Sequence, residues 1–146
     1  MFRHILTSTD GSDWAGKGVT TAIELAAALG ARLTVLHVSE FQPAYLGEGG
    51  YAAVVDADRF REAANARAAE IFASAAEEAG KQGVTPQTVH VTEGPPAIAI
   101  THQAQELGCD LIVIGSRGRR GLTKLFLGSQ AAEVLANTHL PVMIVK

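Results

Sequence analysis

The chain has 146 residues, 47% hydrophobic and 18% charged, with 12 Lys and Arg against 15 Asp and Glu for a formal net charge of −3. That composition fits one folded globular domain, and its slight acidity provides no bulk attraction to nucleic acid or an anionic membrane. The single cysteine, Cys109, excludes an intrachain disulfide and fits a reducing compartment; with no secretory leader after Met1 and no apolar run near the roughly 20 residues of a membrane span, a soluble cytoplasmic protein is expected.

In chain order, His4 to Thr9 reads as a first strand, and Asp10-Gly11-Ser12-Asp13 as a turn followed by a helix N-cap signal. Val19, Ile23, Ala26 and Leu29 recur at helical spacing, and Gly30 stops that helix. Leu33 to Val38 is a second strand, continuous enough in Leu and Val to be buried on both faces. The long connection from Phe41 to Asp56 carries Pro43, Gly47, Gly49 and Gly50 and is expected to be a functional lid or a mobile loop. An alanine-rich helix from about Asp58 to Gln82 follows, with Phe60, Ala64, Ala68, Ile71, Ala75 and Ala79 on one side. Thr88 to Val91 is a third strand, Gly94-Pro95-Pro96 opens a helix through about Glu106, and Leu111 to Ile114 is a fourth strand. A last helix over Ser129 to Asn137 and a fifth strand over Pro141 to Val145 close the chain. Strands alternating with helices predict a doubly wound α/β domain, its parallel sheet covered on both faces through right-handed crossovers.

The strongest chemical signal is Ile112-Val113-Ile114-Gly115-Ser116-Arg117-Gly118, with Gly128-Ser129 ten residues on. A glycine-rich loop between strand and helix lets backbone N–H groups approach a ligand, and the helix N-terminus beyond favours an anion. Arg117, Arg119, Arg120 and Lys124 suit a polyphosphate, unless the segment is an ordinary solvated turn. Ser129 is expected to cap the last helix with its hydroxyl and to meet a phosphate. Thr9 and Asp10 arrive at the same sheet edge. There Asp10 either accepts hydrogen bonds from a ribose or a purine amino group or, like Asp13, only shapes the turn and cap.

Other signatures fall away. Gly11-Ser12-Asp13-Trp14-Ala15-Gly16-Lys17-Gly18 approaches a P-loop, but Gly18 replaces the hydroxyl residue that would bind Mg²⁺. His4, His37, His90, His102 and His139 are scattered without metal-ligand spacing, and His37 reads as a packed strand residue. There is no nucleophile elbow and no Gly-x-Gly-x-x-Gly after the first strand. Cys109 lacks an activating cation, and Trp14 reads as a packing residue.

Three stretches resemble the ATP-binding branch of the universal stress protein family: His4-Ile5-Leu6-Thr7-Ser8-Thr9-Asp10-Gly11-Ser12, Leu33-Thr34-Val35-Leu36-His37-Val38, and Asp110 to Gly118 with Gly128-Ser129 and Pro141-Val142-Met143-Ile144-Val145. The resemblance covers essentially the whole chain, and it implies a single Rossmann-like domain of strand order 3-2-1-4-5. Loops after Asp10 and Ile114 would then flank the switch point, where open α/β sheets take ligands. By the same resemblance, Asp10 and the Val38 backbone would hold an adenosine end. Gly115 and Gly118 would pass close to ribose and phosphates, while Gly128, Ser129 and the Gln130 N–H would meet phosphates with Mg²⁺ or Mn²⁺. Thr9, Ser116 and Arg117 complete the expected ATP-binding set. The implied role is an ATP-binding regulatory module, with a homodimer through residues 141–146 and an unidentified protein partner. Two alternatives stand beside it. One is a slow ATPase or self-phosphorylating enzyme, with Ser116 or Ser129 as acceptor and Asp10 as base; the other is a structural dimer that binds no nucleotide.

Overall fold

The computed structural model describes residues 1–40, 57–117 and 127–146. Five strands, β1 (His4–Ser8), β2 (Arg32–Val38), β3 (Gln87–Val91), β4 (Leu111–Gly115) and β5 (Val142–Val145), form one parallel sheet in the order β3-β2-β1-β4-β5. The helices are α1 (Asp13–Leu29), α2 (Ala57–Gly80), α3 (Pro96–Glu106) and α4 (Ser129–Asn137). The doubly wound sheet expected from the alternating elements is found, in the strand order that the family resemblance implied.

Alternation along the central strands divides the core in two. Ile5, Leu33, Val35, Leu111 and Val113 pack with Val19, Ala22 and Ile23 of α1 and with Ala75 and Ala79 of α2. Leu6, Leu36, Ile112 and Ile114 pack on the other face with Ala97, Ile100 and Ala104 of α3 and Val134 of α4. Burial on both faces is why these strands read as unbroken apolar runs. Ser8 stands opposite both Leu36 and Ile114, so β1 and β4 are neighbours whose connections leave to opposite faces.

Boundaries follow local chemistry. Gly30 ends α1 in the left-handed region at φ 62°, its N–H donating to the Ala26 carbonyl. β5 begins at Val142 rather than Pro141, because proline has no N–H for the ladder, although its carbonyl still accepts from Ile112 N–H at 3.0 Å. The expected lid over 41–56 lies outside the described residues. Among those described, no helix is long and apolar enough to cross a membrane.

Candidate functional site

Three chain segments converge at the C-terminal edge of β1 and its neighbours. The first is the turn into α1. Thr9 extends the ladder, its N–H donating to the Leu36 carbonyl at 3.0 Å. Thr9 Oγ1 accepts from Gly11 N–H at 3.1 Å and Asp10 Oδ1 from Ser12 N–H at 2.9 Å, while Ser12 Oγ caps α1 by accepting from Ala15 N–H. Gly11 holds φ 81°, which L side chains avoid. Of the two readings of Asp10, turn formation is visible here.

The second segment is the end of β2. A carbonyl can only accept, so His37 donates from Nδ1 to the Thr9 carbonyl at 2.8 Å, tying the turn to the strand that delivers half-buried Val38. The His37 ring stacks on His90, whose Nε2 lies 2.8 Å from Ser39 Oγ. His37 is thus a hydrogen-bonded core residue, as the sequence implied.

The third is the exit from β4. Ser116 is buried and used at both backbone positions: its N–H donates to the Val145 carbonyl at 2.7 Å, and its carbonyl accepts from Gly128 N–H at 2.8 Å. These bonds fasten the start of α4 to the sheet. Glycine is needed at 128 because a Cβ there would stand 2.9 Å from the Ser116 oxygen. At Gly115 the missing Cβ serves helix packing, since it would lie 2.5 Å from the Trp14 carbonyl oxygen.

Ser129 departs from expectation. The N-cap is Gly128, with no side-chain cap hydrogen bond; Ser129 is already the first helical residue, and its hydroxyl does not cap. The first α4 ladder bond runs from Ala132 N–H to the Gly128 carbonyl, leaving the N–H groups of Ser129, Gln130 and Ala131 ahead of it. The Gln130 side chain turns elsewhere, its Oε1 accepting from Ala97 N–H of α3 at 3.1 Å. Side chains therefore occupy the starts of α1 and α3, whereas among the described residues none caps the N-terminus of α4.

Two side chains at this edge went unrecognised in the sequence. Trp14 is 37% exposed rather than packed, with Lys17 Nζ 4.6 Å and Arg117 Cζ 5.0 Å from its ring centroid. Arg67 of α2 reaches the β1 turn, where a Cβ on Gly11 would meet its Nη2 at 2.6 Å. No local pattern marks Arg67, because only the fold brings α2 over that turn. A cavity of about 770 Å³ between α1 and α2 joins the site at its Thr9–Ser12 end.

Gly118, Arg119, Arg120 and Lys124 lie outside the described residues. Among those described, no cluster of three His, Cys, Asp or Glu could hold a metal ion. Cys109 is inert by placement: burial pushes its thiol up to about 11.

Known proteins share this fold along the whole chain. The model of the Universal stress protein family matches residues 1–146. The Universal stress protein in the QAH/OAS sulfhydrylase 3′ region of Thermus aquaticus is 38% identical over 146 residues, with all of both chains covered. Among solved structures, a universal stress protein in complex with cAMP is 26% identical with a TM-score of 0.70, covering 99% of this chain and 96% of its own. The universal stress protein from Archaeoglobus fulgidus in complex with dAMP is 25% identical with a TM-score of 0.69, covering 99% and 98%. With the family model matched from end to end over this fold, the chain belongs to the universal stress protein family.

Proposed function

We propose that the chain binds an adenine nucleotide, ATP with Mg²⁺ or Mn²⁺, in the crevice between the β1 and β4 ends, and works as a nucleotide-dependent regulatory module. The observation that carries this is the start of α4, where three N–H groups precede the ladder, no side chain among the described residues caps them, and Gly128 keeps the approach free of a Cβ. Such a terminus suits a phosphate. Buried Arg117 Nε, which has no hydrogen-bond partner, adds an unsatisfied donor beside it. Gly128, Ser129 and Gln130 would hold phosphates, assisted by Ser116 and Arg117, with Gly115 and Gly118 on the β4 exit. Thr9, Asp10 and the Val38 backbone would face the adenosine end. The divalent ion would enter with the phosphates and offset their charge. The cAMP and dAMP complexes of related proteins support an adenine ligand at this fold.

Backbone amides and cations bind without a catalytic base, which favours a switch over an enzyme. Its output would pass through a homodimer. Among the described residues β5 is an edge strand paired only with β4, and Met143 on it is 37% exposed, so a second copy could add to that edge through residues 141–146.

The test is release of nucleotide from freshly purified, heat-denatured protein on anion exchange, beside a hydrolysis time course. Stoichiometric ATP without turnover is expected. Accumulating ADP would put a slow ATPase first, and no bound nucleotide together with no response to added ATP would overturn the reading.

A further inference from the structure

Trp14 is the only tryptophan of the chain, and it stands in the first turn of α1 at the mouth of the crevice. Two cations gather on its indole. Lys17 comes from the same helix, three residues on, and Arg117 comes from the opposite lip, just beyond β4. Both lie within the roughly 6 Å reach of a cation–π contact. The Arg117 backbone adjoins the open start of α4, since a Cβ on Gly128 would lie 3.4 Å from the Arg117 Cα. Arg117 Nε is buried without a partner, so packing against the ring, rather than a hydrogen bond there, holds that part of the side chain.

We propose that Trp14 is a positioning residue: its ring, which also carries Lys17, holds the Arg117 charge beside the α4 N-terminus, so that the site selects nucleotides by their phosphates. This rests on the adenine-nucleotide reading above and adds what sets preference among adenine ligands. A free arginine loses much rotamer freedom when it orders on an anion, and a side chain already laid on a ring loses less. A guanidinium that offers its face to an aromatic ring keeps its in-plane N–H edge for a phosphate. Adenosine has no phosphate to exploit this arrangement, whereas ATP has three.

The experiment is calorimetric titration of the wild type, Trp14→Ala and Trp14→Phe with ATP, AMP and adenosine in the presence of Mg²⁺. Trp14→Ala is expected to weaken ATP about fivefold and AMP less, with adenosine unchanged, and Trp14→Phe to recover most of the loss. Arg117→Gln provides a second variant. It should reproduce the ATP-selective loss and shift the emission of the lone indole in the ligand-free protein. Equal weakening of ATP and adenosine, or none, overturns the positioning role while leaving the binding site standing. A wild type that binds neither ATP nor AMP overturns the nucleotide reading, and this role with it.

Discussion

Gly18 of α1 and Gly115 of β4 meet backbone to backbone: a Cβ on Gly18 would stand 2.7 Å from the Gly115 amide nitrogen. One turn earlier in α1, Gly115 leaves its own Cβ space to the Trp14 carbonyl. Gly18 disqualifies the chain as a P-loop protein and, in the fold, lets α1 lie close over β4. Gly18→Ala should gain about 1 kcal/mol of helix propensity and lose about 1–3 kcal/mol to overpacking against backbone that cannot move aside. A net loss of about 1 kcal/mol, read as a lower urea midpoint at constant slope, is expected. A raised midpoint would mean that α1 lifts freely from β4.

The elements and their doubly wound class were legible because both signals are local, whereas the strand order 3-2-1-4-5 was what the family resemblance implied. Apolar runs at β1, β2 and β4 and helical spacing in α1 each lie within a few residues, and strict alternation of strand and helix leaves few ways to wind the sheet. The site was legible only in part. Gly128 belongs to a spaced motif, but Ser129 was given the capping place that Gly128 holds, a one-residue difference set by backbone angles rather than composition. Gly115 was read as serving a ligand, and its packing role escaped, because the residue filling its Cβ space is Trp14, 101 positions away by number and invisible to any local pattern. Arg67 escaped for the same reason.

Gly128→Val separates folding from ligand binding. The new Cβ would press on the Ser116 carbonyl oxygen at 2.9 Å, and the α4 start must shift to admit it. The fold should survive, at a cost of about 1–2 kcal/mol. ATP affinity should fall at least about tenfold, because amide donors at a helix start act only when correctly aimed. Calorimetry alongside a thermal melt checks both. A folded variant with unchanged ATP affinity would remove α4 from the site.

At the other end of the sheet, Asp110 clamps the entry of β1. Its carboxylate accepts from Arg3 N–H at 2.9 and 3.1 Å and from His4 N–H at 3.0 Å. Slight burial pushes its pKa up, but the His4 and Arg3 amides outweigh this and hold it below the ordinary 3.8. Asp110→Ala should cost about 1–2 kcal/mol by leaving strand-end amides without this acceptor, and Asp110→Asn less, since one acceptor oxygen remains. The wild-type contribution is present above pH 3.8 and lost as pH falls through the lowered folded value, so denaturation curves of wild type and Asp110→Ala should converge in that acid range.

His90 acts in a separate pH window. Burial, and then the neighbouring His37, push its pKa below the ordinary 6.5; burial, and then Arg32, do the same to His4. A base with a lowered folded pKa takes up its proton first in the unfolded chain. Stability is therefore fully present above pH 6.5 and declines as pH falls below it, well before Asp110 begins to titrate. Melting temperatures should fall between about pH 6.5 and 5, where an unperturbed histidine charges. His90→Gln should flatten part of that slope and leave the share due to His4. Because the His90 ring stacks on His37, which donates to the Thr9 carbonyl, a charge on His90 would also loosen the turn that carries Asp10. ATP affinity in the wild type should then decline over the same interval, and less steeply in His90→Gln. A variant melting with the wild-type slope would show that this histidine stack is not linked to folding.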